Sequence, residues 1–131
     1  MLAVGDKYQE TFSVTDEVYQ GFVRLFNDRN PLHTDEAFAQ GKGFSGKVMH
    51  GNILGGFLSY FIGESLPDKN VIIHSQEIRY KQAVYLNDVL QLQAVVSDRY
   101  ESVNAVEFKF EFRNAAAQVV AKGKIQIGIL P

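Results

Sequence analysis

The sequence predicts an α+β domain: an antiparallel sheet wrapped around a central apolar helix. Residues 51–66 read as that helix. Ile53, Leu54, Phe57, Leu58, Tyr60, Phe61 and Ile62 make it apolar nearly all round, the pattern of a buried helix. Four strand-like segments follow, residues 71–84, 89–100, 103–113 and 119–129, with apolar and polar residues in alternation. The connections between them are short enough for hairpins or meander turns. One greasy helix ahead of four such strands is the element that the sheet covers.

The elements read in order as follows. Residues 7–14 form a short first strand. Thr15 is placed to cap a helix, and Asp16 and Glu17 put negative charge in its first turn, where the helix dipole favours it. Val18, Phe22, Leu25 and Phe26 recur at helical spacing. Asn30-Pro31 ends that pattern, because the residue before a proline disfavours the α region. Residues 35–40 form a short second helix, stopped by Gly41-Lys42-Gly43. Within the apolar helix, Gly51, Gly55, Gly56 and Gly63 cost about 1 kcal/mol each against alanine. Close backbone packing against the sheet would offset that cost. Residues 106–113 give the clearest strand, apolar on one face and charged on the other.

Totals exclude several classes of function. The chain has 131 residues, which suits one domain spanning residues 1–131. A net charge of −2 supplies no basic field for nucleic acid or an anionic membrane. The absence of cysteine removes disulfides, thiolate nucleophiles and cysteine-type zinc sites. The first residues lack the basic start and apolar run of a signal peptide, and no stretch is long and apolar enough to span a bilayer. A soluble, cytoplasmic protein is expected. There is no phosphate-binding loop, dinucleotide glycine fingerprint or serine-hydrolase elbow, so no cofactor is expected. The histidines, His33, His50 and His74, have no recognised metal-ligand spacing, so no metal is expected either.

The chemistry concentrates in Asn27-Asp28-Arg29-Asn30-Pro31-Leu32-His33, which sets a carboxylate and an imidazole five residues apart across a rigid corner. Taken singly, Asp28 reads as a turn cap and His33 as a satisfied loop histidine. Taken together they are a general acid–base pair able to share one water. Asn30 and Pro31 are framework on either reading, since Pro31 fixes φ and the Asn30 side chain bonds loop backbone. Gly51 opens the apolar helix. It is either a packing glycine or a bare N–H that receives a carbonyl oxygen as it gains negative charge.

The order of elements, with Asp28-Arg29-Asn30-Pro31-Leu32-His33 and Val48-Met49-His50-Gly51, resembles the MaoC-like (R)-specific enoyl-CoA hydratases of the hotdog fold. Asp28, Asn30, Pro31, Leu32, His33, Asp35 and Ala37 fit the family's motif, His50-Gly51 its downstream His-Gly, and Ser59 its helix serine. Two positions depart from it: Phe26-Asn27 stands where the family has Ser/Thr-Gly, and Ala83-Val84…Asn87-Asp88 where it has Pro-Val…Gly-Asp. The first departure adjoins the candidate site.

The resemblance implies a hydro-lyase that hydrates trans-2-enoyl thioesters, or runs the reverse dehydration. Asp28 would help deprotonate a water, His33 would orient it and share in protonating Cα, and the Gly51 N–H would hold the enolate-like oxygen. His50 would shape the loop and Ser59 would support the site. Phe57, Tyr60 and Phe61 would line an acyl tunnel or pack the core. The expected substrate is an acyl thioester of CoA or acyl carrier protein, with Lys42, Lys47, Arg79 and Lys81 as candidate phosphate contacts. A single sheet leaves an open edge, so a homodimer is expected. Alternatives are a hotdog acyl-thioester hydrolase using Glu64 or Asn52, and a non-catalytic acyl-CoA binding module.

Overall fold

The computed structural model describes residues 2–131. Strand β1 (Lys7–Ser13) leads into helix α1 (Asp16–Phe26), and the Thr15 hydroxyl accepts the Val18 N–H at 3.1 Å, as its sequence position predicts. Asn27 stops α1. It takes a left-handed conformation, φ 58°, and its N–H donates to the Val23 carbonyl. The helix therefore ends ahead of Asn30-Pro31 rather than at it. Pro31 instead opens a short helix α2 (Pro31–Thr34), where its missing N–H leaves nothing unpaired. Helix α3 (Glu36–Gly41) starts at Asp35, whose carboxylate accepts the Phe38 N–H. The central helix α4 (Asn52–Tyr60) runs on through a π-helical turn, Phe61–Ser65.

Strands β2 (Val71–Tyr80), β3 (Val89–Tyr100), β4 (Ala105–Arg113) and β5 (Val119–Ile129) join β1 in one antiparallel sheet of order β1-β3-β4-β5-β2. Two connections behave as the sequence suggests, with β3–β4 and β4–β5 forming neighbouring pairs. The third does not. β2 pairs with β5 and lies at the far edge from β3, so the Asn87-Asp88 connection is a crossover and not a hairpin. Its path is pinned at several points: the Lys81 N–H donates to the Val120 carbonyl, the Met49 N–H to Val84, the Asn87 N–H to Val14 and the Val14 N–H to Asp88. Asn87 itself has φ 70°, a conformation open to asparagine as to glycine. The segment predicted from residue 103 begins as a 3₁₀ turn, Glu101–Val103, before β4.

The inner sheet face carries Leu90, Leu92 and Val96 of β3, Phe108 and Phe112 of β4, and Ile125 and Ile127 of β5, all buried. Against it pack Ile53, Leu54 and Leu58 of α4, with Phe61 and Ile62 from the π turn. Burial of each such side chain contributes about 1.5–3 kcal/mol. The helix is not buried all round, however. Asn52, Gly56, Ser59, Gly63 and Glu64 form an exposed stripe, and Tyr60 is 53% exposed. Close packing accounts for only part of the glycine content: Gly51 lies against the Tyr80 ring, whereas a Cβ on Gly56 or Gly63 would meet open space. Strand β2 is exposed on most of both faces, and its outer edge has no partner strand among the described residues.

Because Asn27 is left-handed, Asn27→Gly should leave stability near the wild-type value. Asn27→Val should cost about 1–2 kcal/mol, since a β-branched side chain clashes with its own backbone there. Urea unfolding followed by circular dichroism measures both. Equal effects of the two substitutions would contradict the left-handed cap.

Candidate active site

The loop after α1 is held by short, local hydrogen bonds. The Asp28 carboxylate accepts the Asn30 N–H at 3.2 Å, and the Asn30 side-chain oxygen accepts the Leu32 N–H at 2.9 Å. The Thr34 hydroxyl donates back to the Arg29 and Asn30 carbonyls. Asn30 and Pro31 therefore act as framework: one caps α2 and the other starts it. The departure at Phe26-Asn27 leaves this geometry intact, because Asn27 adopts the left-handed backbone that glycine would supply. One carboxylate oxygen of Asp28 bonds the loop backbone, and the residue is exposed.

His33 lies on α2, half-buried, and its Nδ1–H donates to the Val48 carbonyl at 2.7 Å. A carbonyl can only accept, so Nδ1 carries the proton and the neutral ring keeps its lone pair on Nε2. The backbone around His33 is fixed as well. The Tyr19 hydroxyl donates to the His33 carbonyl at 2.6 Å, and the Val48 N–H to the Leu32 carbonyl at 3.1 Å.

His50 enters from the other side. It is 2% exposed, its Nε2–H donates to the Asp28 backbone carbonyl at 2.9 Å, and its ring lies over that of His33 with centroids 4.0 Å apart. Phe22 and Tyr19 flank it at 4.6 and 6.0 Å. Its Nδ1 has no partner among the described residues. One polar side-chain atom from each of Asp28, His33 and His50 lies within 4.8 Å of the others. His50 therefore meets the loop through one hydrogen bond and one ring contact.

Two recesses flank this cluster. Asp28 borders a cleft of about 820 Å³ between α1 and α4, lined also by Val18, Phe22, Leu25, Ile53 and Phe57. His33 borders a second, of about 420 Å³, together with Gly51, Leu54, Tyr80 and Lys81. The acid and the imidazole thus meet at the cluster while each also opens onto its own recess. Gly51 precedes the first turn of α4, and its N–H bonds no acceptor among the described residues. It is the local positive end of the helix dipole, beside His33.

Other expected residues stand elsewhere. Ser59 faces outward on α4, about 12 Å along the axis from Gly51. Glu64 is exposed beyond it, and Asn52 borders the Asp28 cleft. His74 sits in a bulge of β2, its ring over Gly128. Phe61 is core, Phe57 stacks on Phe12, and Tyr60 is exposed. Of the candidate phosphate contacts, Lys81 borders the His33 recess, Lys47 and Lys42 lie over the Tyr19 and Phe38 rings, and Arg79 pairs with Glu77. Tyr19 and Tyr80 escaped the sequence reading, since each meets backbone of a residue remote in the chain and no motif marks such a contact.

Asp28, His33 and His50 are donor types that could ligate a metal, and the same groups can exchange hydrogen bonds and protons.

Comparison with known proteins identifies the family. Residues 3–119 match the MaoC like domain. An (R)-specific enoyl-CoA hydratase of Aeromonas caviae is 31% identical over 96 residues, covering 73% of this chain and 72% of that protein. A mitochondrial 3-hydroxyacyl-[acyl-carrier-protein] dehydratase of Arabidopsis thaliana is 30% identical, covering all of this chain and 79% of that one. A 3-hydroxybutyryl-CoA dehydratase of Methylorubrum extorquens is 30% identical over 78 residues, 60% of this chain and about half (50%) of its own length. The unliganded R-hydratase of Pseudomonas aeruginosa superposes with a TM-score of 0.88 at 30% identity, over 98% of this chain and 83% of that structure. Hotdog architecture, the Asp-x-Asn-Pro-x-His loop and the family match over most of its length make this chain a member of the MaoC-like dehydratase family of hydro-lyases.

Proposed function

We propose that the chain adds water to trans-2-enoyl thioesters to give (R)-3-hydroxyacyl thioesters, or catalyses the reverse elimination. The observation that carries this reading is the convergence of Asp28 and His33, with His33 Nδ1 committed to Val48 so that Nε2 faces the chemistry as an acceptor. In the hydration direction, Asp28 and His33 hold one water. Its oxygen forms a bond to Cβ as one of its protons passes to the pair. The carbon–carbon π electrons move to Cα and onto the thioester oxygen, and Cα then takes a proton from the pair. Atoms balance, with no oxidant or reductant. The enolate-like oxygen rests against the Gly51 N–H. Relatives named for CoA and for acyl-carrier-protein substrates both occur, so either carrier fits.

Crotonyl-CoA tests the reaction class. Loss of the conjugated-thioester absorbance without free thiol supports hydration. Thiol release would identify a hydrolase instead, and binding with neither signal a non-catalytic module. Asp28→Asn and His33→Ala should each lower kcat by at least about a hundredfold, with KM much less affected. The double variant should be little worse than either single one, because both groups serve one water. Near-normal turnover in Asp28→Asn, or strictly additive losses, would overturn the shared-water mechanism.

His50 supports this centre by holding the Asp28 carbonyl and stacking on His33. A glutamine amide can stand in for the Nε2–H, whereas leucine cannot. His50→Gln should therefore retain more of kcat than His50→Leu. Equal activities of the two folded variants would count against the hydrogen bond.

The same reading includes a homodimer. The ten-residue β2 presents an unpaired edge, with Ile72 50% and Ile73 38% exposed. Pairing β2 with its copy covers that edge. Sedimentation at micromolar concentration should give twice the chain mass, and a stable monomer would refute the assembly.

A further inference from the structure

We infer that Tyr80 is a second oxyanion donor, so that the thioester oxygen sits between the Gly51 N–H and the Tyr80 hydroxyl. The inference rests on the hydration reading above. Tyr80 is the last residue of β2, half-exposed, and its ring lies against Gly51. An ideal Cβ built on Gly51 would stand 2.8 Å from Cε1 and Cζ of Tyr80 and 3.1 Å from its hydroxyl oxygen. That Cβ position lies about 2.5 Å from the glycine's own nitrogen by standard geometry, so the two donors are at most about 5.6 Å apart. One oxygen accepting an N–H at about 2.9 Å and an O–H at about 2.7 Å spans that distance.

Three further facts agree. Both donors border the recess that holds His33. Among the described residues the Gly51 N–H bonds no acceptor and the Tyr80 hydroxyl, like those of Tyr8, Tyr60 and Tyr100, has no partner, so both donors are available to a ligand. Burial pushes the Tyr80 phenol up from its ordinary value, so the hydroxyl keeps its proton and remains a donor. Tyr80 keeps its proton through the reaction. As water bonds to Cβ, the charge that develops on the thioester oxygen is met by two hydrogen bonds instead of one. When the electron pair returns to Cα and that carbon is protonated, both relax.

Tyr80→Phe preserves the ring wall and deletes only the hydroxyl. Two measurements separate a catalytic donor from a packing residue. With crotonyl-CoA, kcat should fall by about tenfold or more at nearly unchanged KM, toward the range seen when one oxyanion-hole donor is removed. With acetoacetyl-CoA, a stable β-ketoacyl thioester, the enolate absorbance of the bound ligand should weaken and its titration should move up by about one pH unit, the equivalent of that tenfold loss. Gly51→Ala should act in the same direction, because its Cβ displaces the Tyr80 ring. Circular dichroism checks that each variant is folded. A Tyr80→Phe protein with wild-type kcat and an unchanged enolate titration would overturn the assignment while leaving the hydration reading intact. A wild-type protein with no hydratase activity would overturn both.

Discussion

Burial of the apolar side of α4 against the inner sheet face is the constraint on which the rest of the molecule depends. Ile53, Leu54 and Leu58 have nowhere else to go once Leu92, Phe108, Phe112 and Ile125 line the sheet. Their packing fixes the axis and rotation of the helix. It thereby fixes the position of the N-terminus of α4, where the Gly51 N–H bonds no acceptor among the described residues, and of His50 immediately before it. The site is assembled at the end of the best-buried helix and not on a free loop, so its positional precision derives from the core.

The second half of the site has a different origin. Asp28 and His33 belong to a surface segment with few buried side chains, and local hydrogen bonds hold it in place of packing. The two halves meet through a few long-range contacts: His33 Nδ1–H to Val48, His50 Nε2–H to Asp28, and the Tyr19 hydroxyl to His33. Each engages a backbone carbonyl. Carbonyl acceptors fix which ring nitrogen is protonated, and so the chemical character of His33 is set by main-chain geometry.

Much of the fold was legible in the sequence because period and punctuation are local properties. Thr15 as a cap, the limits of β3 and β5, and the apolar helix all follow from residues within a turn or two of one another. Sheet order is a long-range property. Nothing local says that β2 pairs with β5 across the sheet from β3, and short spacing alone suggests the opposite. The exposed side of α4 was hidden for a related reason: glycine looks apolar in a pattern whether or not anything covers it. In the site, Asp28, Asn30, Pro31 and His33 were readable because they share one short motif. His50 was readable only in part, since its partner is a carbonyl 22 residues away. Tyr80 carried no signal, because its contact is with a glycine main chain.

The bond from His33 to Val48 has a consequence for thermal motion. Val48 and Gly51 are three residues apart on one stretch of main chain. A fluctuation that shifts this stretch carries the histidine and the bare N–H along together. The separation between the atom that handles the proton and the atom that meets the charge behaves as the length of a short rod. That shared tether couples the two atoms, so a displacement of this stretch changes their separation less than it changes their position.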